Sequence, residues 1–498
     1  MEFIKLQHTH FFILSIIPLF LIYSFNVEEI PILDLRFPIL ISVSVIGIVY
    51  LFLRIKFDSA KVSVILSTFL IMFIIHGNIR YYLKNQVILS DSVFSSSIFL
   101  GIIFLSIPLM LIFFIFKKNI ISELNKILMI FSLTLFLVLM PTAIIYFIND
   151  SPSLDFSQIN LDIELSEKPN LYVILLDEFA GQIQLNQDFN YYPHYLMSNL
   201  DKRNFQTPIN SFSNYPNTAY SLPSVLNMEY LEYVTNELGP DSKNTIKALD
   251  LRNNNNLMKI FKNNGYHITS FYGGMGASGA GNLVDEKVCA PFNINNDLKE
   301  KFFLIYFPFS YFNNELINNP LNEKISCIRE YINNLETSKE PKFLFIHLRL
   351  PHHPYVYNSS GDFISDSNLD NKDKNGYLEQ LKFSEKLAVD IIDTIQQKDP
   401  NSFIVIFSDH GYRSHINWND RNNFENVIRG HNVIISFYTN EHQINLPKNV
   451  TLVNIFRIII NQISDEKLEI LENKLYWYGL DEPNRHYDVS EIIFNNLQ

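Results

Sequence analysis

The sequence predicts a multi-pass α-helical membrane domain of five spans followed by an α/β domain with a mostly parallel central sheet. Residues 1–150 contain five long apolar runs, whereas short apolar strands alternate with helical stretches from about residue 170. The charges divide at the same place, because residues 1–150 carry 10 Lys+Arg and 8 Asp+Glu while residues 151–498 carry 29 and 43. We therefore expect a transmembrane domain over 1–150, a linker over 151–169 and a folded domain over 170–498.

The overall composition excludes several classes of protein. The 498 residues are 47% hydrophobic and only 18% charged, with 14% aromatics, which is not typical of a disordered chain or a coiled coil. A net charge of −12 argues against a nucleic-acid partner, since little in that balance would neutralise a phosphate backbone.

The five apolar runs predict five membrane helices, because a span requires roughly 20 residues of low polarity. The alternative for the third run is a soluble core helix. The alternative for the first is a signal peptide, but no small-residue cleavage site follows it and four more runs do. The runs are about 10–25, 37–53, 61–75, 94–116 and 127–148.

Basic residues in the short loops predict the orientation of these helices, since Lys and Arg prefer the cytoplasmic side. With a cytoplasmic N-terminus, the cytoplasmic segments hold Lys5, Arg54, Lys56, Lys61, Lys117, Lys118 and Lys126. The opposite segments hold only Arg36, Arg80 and Lys84. Five spans then place the second domain outside the cytoplasm. In that oxidising compartment Cys289 and Cys327 either pair or remain as two buried thiols.

The second domain alternates strands with helices, which favours crossover connections and a sheet covered on both faces. Strands are expected at 171–176, 342–350 and 402–411, and helices near 255–266 and 376–397. In such sheets the chemistry lies beyond the carboxyl ends of the strands.

Acidic side chains follow two of these strands. Asp177 and Glu178 follow the first, and Asp409 and His410 follow the strand that begins at 402. A carboxylate at a dry strand end requires a compensating cation or donor, and carboxylate plus imidazole suits Zn²⁺ or Mn²⁺. The alternatives are a helix N-terminal acid pair for the first site and a turn with a solvated histidine for the second.

A hydroxyl at the start of a predicted short helix is the candidate nucleophile. Thr218 begins the stretch Thr218-Ala219-Tyr220-Ser221-Leu222-Pro223 after a polar loop. The first turn of a helix offers backbone N–H groups and a positive dipole, which stabilise phosphate and lower the pKa of a nucleophile. The alternative is an ordinary N-cap.

Several histidines lie close to the predicted strands. His352 and His353 follow the strand at 342–350, and His431 precedes a late apolar strand, so these positions suit protonation of a leaving group or contact with phosphate oxygens. We interpret three other histidines as structural, namely His267, His347 and His415.

The order of these parts resembles the alkaline phosphatase/sulfatase superfamily, especially its membrane-bound branch of phosphoethanolamine transferases and lipoteichoic acid synthases. The motifs T-A-x-S-[VL]-P at 218–223 and S-D-H-G at 408–411 carry the resemblance, which extends over essentially the whole chain. It implies an alkaline-phosphatase-like (sulfatase-like) catalytic domain.

Carried over by motif, the resemblance implies metal ligands at Asp177, Thr218, Asp409 and His410, with Glu178 as a further candidate. Thr218 matches the nucleophile, and His352 and His431 match histidines that contact the substrate or leaving group, with His353 a further candidate. Three departures stand out. Asp177 replaces a glutamate, Thr218 and Leu222 stand where a sulfatase has its Cys or Ser and a later Arg, and the cysteines that flank the threonine in many phosphoethanolamine transferases are missing.

The resemblance implies a Zn²⁺- or Mn²⁺-dependent transferase in a bacterial cytoplasmic membrane. It would move phosphoethanolamine or phosphoglycerol from a membrane phospholipid to a cell-surface glycan or a lipid-linked sugar, through a phospho-threonine. The alternatives are a phosphodiester or sulfate-ester hydrolase that uses the same site, and a non-catalytic membrane receptor or scaffold.

Overall fold

The computed structural model describes residues 8–25, 35–85, 97–118, 120–149, 161–192, 194–271, 283–289, 314–335, 340–364, 372–440 and 442–497. These residues form two compact units. The first contains those up to 149 together with 314–317, and the second contains the rest.

The first unit is helical at each of the five apolar runs. Its helices are α1 (His10–Phe25), α2 (Arg36–Arg54), α3 (Ser59–Asn85), α4 (Ser97–Lys118) and α5 (Ile121–Asn149). Among the described residues, two stretches are long and apolar enough to cross a membrane by length and composition, Arg36–Arg54 and Ile121–Met140.

A buried polar network joins three helices of the first unit. The imidazole of His10 in α1 lies 2.6 Å from the hydroxyl of Ser67 in α3 and 3.0 Å from the amide oxygen of Asn125 in α5. The outward face of α2 is apolar and exposed, with Leu51 at 68% and Phe52 at 70% of full exposure. The unit thus has a paired polar network inside it and a contiguous apolar face on α2 outside, which is uncommon on the surface of a soluble protein.

A six-stranded sheet forms the centre of the second unit, in the order β4-β3-β5-β1-β6-β7. All neighbouring strands pair in parallel except β6 and β7, which are antiparallel, so the mostly parallel sheet is confirmed. The strands are β1 (Leu171–Leu176), β3 (His267–Phe271), β4 (Glu286–Val288), β5 (Lys342–Leu348), β6 (Phe403–Ser408) and β7 (Ile435–Tyr438).

Helices cover both faces of this sheet. Every residue of β1 is apolar and buried, and because successive side chains point to opposite faces, both faces require a covering layer. On one face Tyr172, Ile174 and Leu176 pack with apolar residues of α13 (Lys374–Lys398) and α12 (Asn314–Asn333). On the other face Leu171, Val173 and Leu175 pack with three helices, α8 (Thr218–Asn227), α11 (Asn256–Asn263) and α15 (Ile455–Ile463).

Shorter elements complete the second unit. Two small sheets pair β2 with β8 in parallel and β9 with β10 antiparallel. The strands are β2 (Asn210–Phe212), β8 (Asn449–Thr451), β9 (Tyr476–Trp477) and β10 (Tyr487–Asp488). The helices are α6 (Gln182–Phe189), α7 (Tyr195–Asp201), α9 (Glu232–Leu238), α10 (Ile246–Asn253), α14 (Phe424–His431), α16 (Ser490–Phe494) and a 3₁₀ turn (Leu452–Asn454).

The two cysteines are joined in a disulfide. Cys289 directly follows β4, and its bond to Cys327 ties that segment to α12, with the Cα atoms 5.7 Å apart. Of the two alternatives left by the sequence, the structure therefore has the paired form.

Candidate active site

The two acidic motifs lie together because β5, β1 and β6 are neighbours in the sheet. Leu176, the last residue of β1, is in register with Leu348 of β5 and with Ser408 of β6. The next residue, Asp177, donates its backbone N–H to the Leu348 carbonyl at 3.0 Å. The carboxyl ends of these parallel strands thus bring residues 177 and 409 to the same edge, where the site was expected.

Thr218 reaches this edge from the start of α8. Asn217 caps the helix by accepting a hydrogen bond from the Ala219 N–H at 3.0 Å. The Thr218 hydroxyl donates to Asp409 Oδ2 at 2.5 Å and lies 3.2 Å from His410 Nε2. A partly exposed hydroxyl is thereby held between a carboxylate and an imidazole, with the N-terminal dipole of α8 behind it.

Asp177, Asp409 and His410 form a candidate metal centre. They are buried, and one ligand atom from each lies within 4.8 Å of the others. His410 Nδ1–H donates to the Gly411 carbonyl at 2.9 Å, which leaves the Nε2 lone pair directed at the carboxylates. Asp177 Oδ1 is buried and has no hydrogen-bond partner in the described part of the chain. These donors fit a divalent cation that accepts oxygen and nitrogen ligands.

The electrostatics favour an ionised Asp177. Burial raises the pKa of this carboxyl, but its interactions with His352, His347 and His410 outweigh burial and hold the pKa well below its usual range. A buried carboxylate that remains charged is suited to binding a cation.

Glu178 lies beside the candidate metal centre, and its carboxylate contacts Arg413 and His352. Its backbone is left-handed, with φ of 63°, which is uncommon for a residue other than glycine. The buried carboxylate accepts from the Arg413 N–H at 3.2 Å through Oε1, and Oε2 lies 3.8 Å from His352 Nε2. The grouped ligand atoms are those of Asp177, Asp409 and His410. The contacts of the Glu178 carboxylate support a role in holding Arg413 and His352.

The three candidate substrate histidines lie in different environments. His352 is 23% exposed next to Glu178, so it is accessible from outside. The ring of His353 packs edge-on against Tyr355, with the centroids 5.5 Å apart. His431 is fully buried at the end of α14, and its two ring nitrogens lie 2.9 and 3.1 Å from the carbonyls of Val427 and Tyr476. The geometry of His431 favours a structural role.

The structure brings two further residues to the site that the sequence motifs did not indicate. His347, which we interpreted as structural, lies with Nε2 3.4 Å from Asp177 Oδ2. Arg413 lies with Nε 3.9 Å from Glu178 Oε1. Arg413 stands two residues after the S-D-H-G motif, so its position in the sequence could have indicated that it lies near the site. His347 lies inside a strand, and only strand order reveals its neighbour.

Comparison with known protein families identifies the class of protein. The model of the sulfatase family matches residues 169–431, which is more than half of the chain. The chain therefore belongs to the sulfatase family, and the resemblance to the alkaline phosphatase/sulfatase superfamily is confirmed. No curated protein sequence matches the chain.

Solved structures that match the chain include the C-terminal periplasmic domain of EptC from Escherichia coli. That comparison has 15% identity, covers 67% of this chain and 96% of that one, and has a TM-score of 0.43. The soluble domain of lipooligosaccharide phosphoethanolamine transferase A from Neisseria meningitidis gives 14% identity, 66% and 90% coverage and a TM-score of 0.34. An alkaline phosphatase superfamily protein from Vibrio parahaemolyticus gives 13% identity, 66% and 78% coverage and a TM-score of 0.41.

Proposed function

We propose that this protein is a metal-dependent phosphotransferase. It moves phosphoethanolamine or phosphoglycerol from a membrane phospholipid to a cell-surface glycan or lipid through a phospho-threonine at Thr218. The observation that carries the proposal is the position of the Thr218 hydroxyl, which donates to Asp409 at 2.5 Å and lies 3.2 Å from His410 at the start of a helix. A hydroxyl activated by an adjacent acceptor is the usual arrangement of an oxygen nucleophile.

Asp177, Asp409, His410 and the Thr218 hydroxyl would hold the divalent cation, Zn²⁺ or Mn²⁺. When bound, such a cation lowers the pKa of a hydroxyl and neutralises charge on phosphoryl oxygens. Glu178 was a further candidate ligand, but its carboxylate faces Arg413 and His352.

The side chains of the site suit two successive displacements on phosphorus. In the first, the Thr218 proton passes to Asp409, a P–O bond forms to Thr218 and the P–O bond to diacylglycerol breaks. His352, at the accessible side of the site, is placed to protonate the departing alkoxide. In the second, an acceptor hydroxyl gives its proton to His352 and attacks the phospho-threonine, the P–O bond to Thr218 breaks, and the Thr218 oxygen regains its proton from Asp409.

Membership of the sulfatase family does not make sulfate-ester hydrolysis the expected reaction. The sulfatase cofactor is made from a Cys or Ser, and this chain has Thr218 at that position with Leu222 in place of the later Arg. The hydrogen bond from the Thr218 hydroxyl to Asp409 supports a role for the threonine itself. We therefore place the chain with the threonine-dependent transferases of the membrane-bound branch.

We further propose that residues 1–150 are a five-span anchor with a cytoplasmic N-terminus, and that residues 170–498 are the extracytoplasmic catalytic domain after a linker at 151–169. Two stretches are long and apolar enough to span a membrane, Arg36–Arg54 (α2) and Ile121–Met140, and the apolar face of α2 is exposed. Both observations support an anchor in a bacterial cytoplasmic membrane. Anchoring suits the reaction because the phospholipid donor is confined to the bilayer.

Product analysis with a phospholipid labelled in its head group tests the proposal. We expect wild-type protein to release diacylglycerol, to carry label on Thr218 and to pass it to an acceptor. Thr218→Ala should lose all three steps, while Thr218→Ser should retain part of them because it keeps the hydroxyl. Free head-group phosphate as the sole product would identify a hydrolase, and turnover by Thr218→Ala would rule out the mechanism. Protein that binds no metal would favour the scaffold.

A further inference from the structure

A buried glutamine holds the loop that carries His352. Gln380 lies on α13, and its side chain is fully buried. Its amide nitrogen donates to three backbone carbonyls of the loop, those of Pro351 at 3.1 Å, His352 at 2.9 Å and Pro354 at 3.2 Å. Its amide oxygen accepts two backbone N–H groups of the same loop, those of Val356 at 2.8 Å and Tyr357 at 3.2 Å. One side chain therefore binds five backbone groups within residues 351–357.

The partners of Gln380 fix the orientation of its amide. Backbone carbonyls only accept hydrogen bonds, and backbone N–H groups only donate them. A flipped amide would set its oxygen against the three carbonyls and its NH₂ group against the two N–H groups, and every bond would be lost. The position thus requires a side chain that both donates and accepts.

The loop depends on this amide because backbone groups do not replace it. No backbone N–H group in the described part of the chain donates to the carbonyls of Pro351, His352 or Pro354. Backbone carbonyls withdrawn from water without a donor are destabilising. The helix that carries Gln380 packs on the central sheet through apolar residues such as Leu381. Gln380 therefore ties the path of the loop to the rigid core of the second unit.

The path of the loop determines where the His352 ring lies. Nδ1–H of His352 donates to the His353 carbonyl at 2.6 Å, so the ring is oriented by the backbone that Gln380 holds. The other ring nitrogen, Nε2, lies 3.8 Å from Glu178 Oε2 on the accessible side of the site. Nε2 is therefore the nitrogen that can exchange a proton with a substrate.

We propose that Gln380 is a positioning residue, which holds residues 351–357 so that His352 Nε2 faces the leaving oxygen of the phosphodiester. The inference rests on the proposed function and extends it to a residue that does not touch the substrate. In the first displacement the P–O bond to diacylglycerol breaks, and the proton on His352 Nε2 passes to the alkoxide oxygen. Because a misplacement of about 1 Å can cost about a hundredfold in rate, a loosened loop slows this proton transfer.

Esters with different leaving groups test the proposal on the full chain in detergent micelles, loaded with Zn²⁺. A short-chain phosphatidylethanolamine releases an alkoxide that requires a proton, whereas the p-nitrophenyl ester of phosphoethanolamine releases a phenolate that does not. The corresponding phosphoglycerol esters cover the other head group. We expect Gln380→Leu to slow diacylglycerol release at least about tenfold and p-nitrophenolate release less than about threefold, since only the first step needs the acid.

Gln396→Leu is the matched control. Gln396 lies on the same helix and donates to the Arg203 carbonyl at 3.2 Å, away from the loop. Both rates should stay at the wild-type level in this variant, and zinc content should be equal in all variants.

A double-mutant cycle separates positioning from a general loss of structure. In His352→Gln the acid is already absent, so adding Gln380→Leu should slow diacylglycerol release little further. Gln380→Glu keeps the size of the side chain but offers at most one donor to the three carbonyls, and it should show the same dependence on the leaving group. Independent effects in the cycle, or equal slowing of both esters in Gln380→Leu and Gln380→Glu, would overturn the proposal.

The proposed function can fail independently of this inference. Amide hydrogen exchange at Val356 and Tyr357 measures the hold of Gln380 on the loop without substrate, and it should accelerate in both Gln380 variants. Unchanged exchange would contradict the positioning role. If the two esters respond as expected but Thr218 is never labelled, Gln380 positions the acid and the phospho-threonine step is wrong. If Thr218 is labelled while both esters slow equally, the mechanism stands and the role of Gln380 is wrong.

Discussion

The hydroxyl of Thr218 donates a hydrogen bond to Asp409 Oδ2 at 2.5 Å, although the two residues are 191 positions apart in the chain. The contact joins the first residue of α8 to the loop after β6. Ser221, one turn further along α8, reinforces it by donating to the Asp409 carbonyl at 2.6 Å. The proposed nucleophile and its proposed proton acceptor are therefore held in place before any substrate binds.

Asp409→Asn tests this contact directly. Asparagine keeps an oxygen for the backbone N–H groups of Glu178 and His410, which now donate to Oδ1, but it presents an NH₂ group to Thr218. We expect transfer activity to fall at least about a hundredfold, because a positioned base contributes on that scale. Circular dichroism should show an intact fold. Activity close to that of wild type would contradict the proton-acceptor role.

Metal removal should abolish transfer. A chelator is expected to eliminate activity, and Zn²⁺ or Mn²⁺ should restore it. Because a ligand that binds only the folded state stabilises it by about 2.7 kcal/mol at a hundred times Kd, added Zn²⁺ should also raise the thermal midpoint. Asp177→Asn should lose this rise, since it removes one of the grouped ligands. Chelator-insensitive turnover would exclude the metal centre.

His347→Gln should weaken metal binding without removing a ligand. His347 Nε2 lies 3.4 Å from Asp177 Oδ2 and orients that carboxylate, and partners of this kind typically account for 10- to 100-fold in metal affinity. We expect a comparable loss in a competitive chelator titration, with activity largely recovered at saturating Zn²⁺. His267→Gln is the control, because His267 is 42% exposed at the start of β3. If His347→Gln and His267→Gln bound Zn²⁺ with equal affinity, His347 would have only a structural role.

Glu385→Gln should change how stability depends on pH. Burial raises the pKa of this carboxyl to about 7 from 4.5, against hydrogen bonds from Tyr191 and Leu196 that favour its charge. Between these pH values the folded chain binds more protons than the unfolded chain. The unfolding free energy should therefore fall as pH rises from about 4.5 to 7, by up to about 3 kcal/mol. Thermal melts at pH 5 and pH 8 should show the variant equal to wild type at the lower pH and more stable at the higher. If the stability of the variant changed with pH as that of wild type does, Glu385 would not be the source of the pH dependence.

Cys327→Ser should destabilise the second unit. The disulfide to Cys289 closes a loop across a separation of 38 residues, and loss of such a bond typically costs about 2 to 5 kcal/mol. Wild-type protein treated with reductant should show the same loss of stability, and reductant should have no further effect on the variant. Unaltered stability in both cases would show that the bond is not structural.

Much of the site could be predicted because its motifs are local. Asp177 and Asp409 each follow a run of buried apolar residues, and Thr218 follows a polar loop with a helix cap, so a short window of sequence shows the strand end or helix start. Their meeting at one sheet edge follows from the general rule for parallel sheets.

Other residues could not be placed from their neighbours in sequence. The sequence around His431 does not show that its ring lies against two backbone carbonyls. One of these carbonyls belongs to a residue 45 positions further along the chain. Glu178 follows Asp177 directly, yet its left-handed backbone turns it toward Arg413, so two adjacent acids have different partners.

The amino-acid sequence by itself determined the division into an apolar helical part and an α/β part, the family and the motif residues at the strand ends, because these depend on local periodicity and composition. Only the tertiary structure decided which side chains face one another. Strand order put His347 beside Asp177, and the disulfide joined the segment after β4 to α12. Contacts between distant segments depend on strand order, backbone conformation and burial, which no short window of sequence contains.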